Sequence, residues 1–71
     1  MYLNFKVKPE MAGIVRKNLI DAIILRQNAV GEFVVYAWLK GREKPIALGA
    51  YDTFRQAERR LRLFERELNN G

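Results

Sequence analysis

The stretch Glu32-Phe33-Val34-Val35-Tyr36-Ala37-Trp38-Leu39-Lys40 is apolar on both sides, where a half-buried strand would alternate apolar with polar residues. Phe33, Val35, Ala37 and Leu39 form one row, and Val34, Tyr36 and Trp38 form the other. Such a strand asks for two covers, yet only one well-marked helix follows it. One face is therefore left to the N-terminal third of the chain or to a partner.

At 71 residues the chain makes one small domain, residues 1–71. At that size a single core supplies only ~3–5 kcal/mol, and oligomerisation is a common supplement, so a homodimer is expected. The absence of cysteine removes disulfides and thiolate metal sites, and with them the usual small secreted scaffold. No apolar run approaches the ~20 residues of a membrane span, and Met1–Lys6 lacks the basic-then-apolar pattern of an export signal. The expectation is a cytoplasmic protein with no membrane partner. A net charge of +5 and a pI of 10.0 suit an anionic partner, nucleic acid foremost. The excess is spread between Lys6, Lys8, Arg16, Lys17 and Arg26 and the C-terminal segment, with no basic tail.

Leu3, Phe5 and Val7 alternate with Asn4, Lys6 and Lys8, which reads as a short strand stopped by Pro9. Residues 10–27 admit two readings. Met11, Ile14, Val15, Leu19, Ala22 and Ile23 fit helical spacing behind a Pro9-Glu10 start. Against that, Gly13 weakens a helix, and Ile20, Ile23 and Ile24 suit a strand over 20–27, with Ile14-Val15 as a separate strand. The strand reading is preferred. A turn at Asn28-Ala29-Val30-Gly31 leads into the two-faced strand, and Gly41–Lys44 connects it to a further strand from Pro45 to Tyr51. A four-residue loop would set Leu39 opposite Ile46, Ala37 opposite Leu48, Val35 opposite Ala50, Trp38 over Ala47 and Tyr36 over Gly49. Thr53 reads as an N-cap with Gln56 as its capping-box partner. Phe54, Ala57, Leu61, Phe64 and Leu68 then form one apolar stripe on a helix ending near Asn69-Asn70-Gly71, expected on the Phe33/Val35/Ala37/Leu39 face. The fold class is α+β: a small antiparallel sheet of three or four strands packed on one C-terminal helix. The alternative, with a helix over residues 10–27, is β-α-β-β-α.

The chain has no His, no Cys and no Ser, and its one Thr is committed to a cap, so the common nucleophiles and the neutral-pH base are missing. Glu10, Asp21, Glu32, Glu43, Asp52, Glu58, Glu65 and Glu67 lie on elements that do not converge, and no loop collects oxygens for a hard cation. Gly31, Gly41 and Gly49 read as turn or strand-packing glycines, not as a phosphate cradle. The expectation is a protein with no catalytic residues, no metal, no cofactor and no small-molecule substrate.

Two surfaces remain. Arg55, Arg59, Arg62 and Arg66 fall within an arc of about 60° flanking the apolar stripe, and Arg pairs bidentately with phosphate oxygens. The same pattern also fits an ordinary solvated face, with Glu58 and Glu65 spaced to pair with Arg62. The second surface is the sheet face of Val34, Tyr36 and Trp38, expected to be joined by Ile23 and Leu25 of the preceding strand. Three readings compete there: cover by Leu3, Phe5, Met11, Ile14 and Val15; face-to-face packing of two copies; or a stacking platform for bases. Leu63, away from the core stripe, adds a minor hint of a contact.

The segment Tyr36-Ala37-Trp38-Leu39-Lys40-Gly41, with Leu48-Gly49-Ala50-Tyr51-Asp52-Thr53-Phe54-Arg55-Gln56-Ala57 and on to Leu61, resembles a module in many short bacterial and phage proteins. That likeness implies no activity. The hairpin, the Leu-Gly-x-Tyr-Asp-Thr turn and the capped helix also resemble, over the C-terminal half, the arm-type, AP2-like DNA-binding domain of tyrosine integrases, whose sheet lies in the major groove. This chain departs from that pattern: Val34, Tyr36, Trp38, Ala47 and Gly49 stand where that family presents Arg, Lys and polar residues. The expected function is a non-catalytic small basic module binding nucleic acid, DNA in particular, through Arg55, Arg59, Arg62 and Arg66 and the hairpin residues Lys40, Arg42 and Lys44. The alternative is a protein-interaction or structural homo-oligomer associating through Val34, Tyr36, Trp38, Ile23 and Leu25.

Overall fold

A computed structural model describes residues 1–8 and 11–70. The strand stop at Pro9, the Pro9-Glu10 helix start and the terminal Gly71 lie outside the described residues. Apolar alternation at Leu3, Phe5 and Val7 gives β1 (Tyr2–Lys8), which pairs antiparallel with β2 (Met11–Arg16). A single 3-10 turn, Lys17–Leu19, then leads into β3 (Ile20–Gln27). The helical alternative for residues 10–27 does not form. Gly13 shows why: it faces Phe5 across the ribbon, and a Cβ there would come within 2.9 Å of the Phe5 ring. The isoleucines of β3, stiff at χ1, suit the extended backbone.

The turn after β3 is organised by Asn28. Its Oδ1 accepts from the N–H groups of Val30 (3.1 Å) and Glu32 (2.9 Å), and Gly31 takes φ +91°. β4 (Phe33–Leu39) follows, then β5 (Ile46–Tyr51), and the three strands form a sheet in the order β3-β4-β5. Thr53 Oγ1 accepts from the Gln56 N–H at 3.2 Å and starts α1 (Phe54–Asn69). The fold is thus α+β, a small antiparallel sheet packed against a single C-terminal helix, with the β1–β2 ribbon as a separate two-stranded sheet.

Leu3, Val15, Val35, Ala37, Leu48 and Phe64 make the core, with Ile20, Ile23, Leu39, Ile46 and Leu61 packed around them. Helix and ribbon therefore cover the same side of the sheet, the Val35/Ala37 side. The expected cover of the other side by Leu3, Phe5 and Val15 is corrected: these residues turn into the helix-covered core. The physical reason is that the helix stripe is narrow. Of its residues only Ala57 and Phe64 are fully buried, which leaves the Leu39/Ile46 end of that face for the ribbon.

The register also differs from the four-residue-loop expectation. Val35 pairs with Gly49, Tyr36 with Ala47 and Ala37 with Ile46, so Leu48 is an extra, bulged residue. Trp38 and Leu39 run past the last pair with β5 and are paired with β3 alone. The bulge turns Leu48 into the core, where it is fully buried.

Candidate functional site

Each candidate arginine is exposed: Arg55, Arg59, Arg62 and Arg66. At ~100° per residue they lie roughly 140–200° from the buried Ala57, so they occupy the side of α1 opposite the sheet and do not flank the apolar stripe. Among the described residues the stripe has one ion pair, Arg62 to Glu58 at 3.9 Å, between two solvent-exposed side chains. Such a pair is worth only ~0.3–0.5 kcal/mol, so it does not hold Arg62 out of reach of a stronger anion.

Lys40, Arg42 and Lys44 are likewise exposed, in the loop between β4 and β5. The loop turns at Gly41, which takes φ +79°, and the Arg42 N–H donates to the Leu39 carbonyl at 3.2 Å. The Lys40 N–H donates to the Leu19 carbonyl at 2.8 Å, tying the hairpin tip to the turn before β3. The hairpin cations thus stand at the far end of the sheet from the start of α1.

The aromatic face is built differently from the expectation. Ile23 pairs with Ala37 and Leu25 with Val35, so both point to the helix side and neither joins Tyr36 and Trp38. The residues beside the aromatics are Ala22, opposite Trp38, Ile24, opposite Tyr36, and Arg26, opposite Val34. The shift of one residue follows from the turn, which spans residues 28–32 and not the expected 28–31, so that Gln27 pairs with Phe33. Val34 is buried, and Tyr36 and Trp38 are half-buried. None of these side chains belongs to the core cluster.

Sequence reasoning missed the fifth arginine of the helix. Arg60 turns toward β5 and lies over the Phe64 ring, 5.1 Å from its centroid. It also stands beside Tyr51. Burial pushes the Tyr51 hydroxyl above its ordinary pKa of 10.0, and the Arg60 guanidinium partly opposes that rise. The one available signal was angular, since Arg60 falls well off the arc shared by the other four. A second missed feature is a groove of ≈ 390 Å³ between the ribbon and the hairpin tip, with Tyr2, Ile14, Arg16, Leu19, Lys40 and Arg42 along its walls.

Comparison with protein-family models, with curated proteins and with solved structures gave no significant match. No three carboxylates gather into a metal-binding group among the described residues, and no helix there is long and apolar enough to cross a membrane.

Proposed function

We propose that this chain is a non-catalytic nucleic-acid-binding module that grips a phosphate backbone through Arg55, Arg59, Arg62 and Arg66. The observation that carries the reading is the exposure of four guanidinium groups on one helix side, with a single weak carboxylate partner among the described residues. At ~1.5 Å per residue the stripe is about 16 Å long, enough to meet several phosphates of one strand. Lys40, Arg42 and Lys44 supply a second set of positive charges for non-specific attraction. The chemistry is electrostatic and needs no cofactor or metal.

The test is anisotropy with a labelled duplex over a range of salt concentrations. Four phosphate contacts imply that log K falls with log salt with a slope of about −3 to −4. Changing Arg59 and Arg66 together to Gln should weaken binding at least tenfold and flatten that slope by about 2. No binding to duplex or single strands at low salt would end the proposal.

A second reading is favoured by one specific observation: Tyr36 and Trp38 are half-buried on the sheet side away from the core cluster, with apolar ring surface still accessible. On that reading two copies pack face to face, and a small core gains apolar burial that it lacks alone.

A further inference from the structure

We propose that the groove between the β1–β2 ribbon and the β4–β5 hairpin tip docks an extended, acidic and apolar segment of a partner protein. Its ≈ 390 Å³ lies within the ~300–1,000 Å³ range of ligand clefts. Three apolar side chains on its walls are exposed: Tyr2 at 52 %, Ile14 at 61 % and Leu19 at 42 %. Every charged residue lining it is basic, namely Arg16, Lys40 and Arg42. Arg16 is already held in place over the Tyr2 ring, 5.9 Å from its centroid.

The chemistry selects the occupant. The lining offers cationic donors, one phenol and aliphatic or aromatic surface, but no amide, hydroxyl or carboxylate acceptor from Asn, Gln, Ser, Thr, Asp or Glu. Leucine or phenylalanine side chains would bury apolar area there, and neighbouring carboxylates would meet the three cations. The backbone supplies direction. β2 is paired on one side alone, with β1, so the groups on its outer edge are open to a strand laid beside it. This inference does not rest on the helix arginines.

The experiment uses the whole chain, 15N-labelled, titrated with a short peptide that alternates leucine with glutamate. The expected result is micromolar binding, with amide shifts confined to residues 2–5, 12–19 and 39–46. Replacing the glutamates of the peptide by glutamine should weaken binding at least tenfold, and so should Ile14→Glu in the protein. Ile14 is exposed, so the variant is expected to keep the wild-type circular dichroism and melting temperature. Arg59→Gln with Arg66→Gln should leave peptide binding unchanged, which separates this site from the helix stripe. The proposal is overturned by any of four results: no binding, shifts elsewhere on the protein, equal binding of the glutamine peptide, or the same shifts produced by a duplex or by raising the protein concentration alone.

Discussion

Tyr51 and Gly49 form a pair that neither residue could form with an ordinary neighbour. The ring lies across the glycine so closely that a Cβ there would strike the hydroxyl and come within 2.8 Å of Cζ. Gly49→Ala must therefore turn the ring away from the core residues it packs against, at a cost of about 1–3 kcal/mol. A melting temperature lower by ~4–8 °C for each kcal/mol is the expected readout, and most of the loss should vanish in a Tyr51→Ala background. The hydroxyl adds a pH dependence. Because folding raises its pKa above 10.0, the folded state holds this proton more tightly than the unfolded chain does. Its contribution is intact below the ordinary value and is lost as pH climbs through the raised one. Denaturant titrations at rising alkaline pH should show wild type losing more stability than Tyr51→Phe.

The helix depends on two points along its length. Phe64, 3 % exposed, fills the space between Leu3, Val35, Ala37 and Leu48, so Phe64→Ala should cost about 3–5 kcal/mol, enough to unfold most of the population. Leu61 is only half-buried, and its truncation belongs at the low end of ~2–5 kcal/mol. Thr53→Ala should cost about 1 kcal/mol through the lost cap, measurable as a lower urea midpoint with unchanged slope. This element was legible because cap, stripe and terminus are local signals. The strands were less plain, since residues 10–27 fitted a helix as well, and the preferred reading, Ile14-Val15 apart from a strand over 20–27, is the one that forms. What could not be read was sidedness. A bulge at Leu48 costs nothing in residue pattern, yet it changes every cross-strand partner beyond it. Ile23 and Leu25 were set on the aromatic face for the same reason, one residue of register. The candidate arginines were legible as a set, while the groove was not, since it joins Tyr2, Arg16 and Arg42 from three distant parts of the chain.

Taken as a whole, the molecule puts both its accessory layers on one side. Leu3 and Val15 of the ribbon share the core with Phe64 of the helix, while Tyr36 and Trp38 are half-buried outside it. If two copies pair there, sedimentation should give a dimer that Trp38→Glu converts to monomer, because an unpaired charge in an apolar contact is costly. A wild-type monomer across micromolar concentrations would remove that reading.

Lys17 has a consequence for how the first strand and the last turn of the helix hold together. Its N–H donates to the Met1 carbonyl at 3.0 Å, while its ammonium reaches the Glu67 carbonyl at 2.6 Å and the Glu67 carboxylate at 3.8 Å. The start of the first strand and the last helical turn are thereby gathered at one lysine, so loosening of either should be transmitted to the other. Amide hydrogen exchange in Lys17→Met should quicken in both segments together, and a change in one alone would show that the lysine does not couple them.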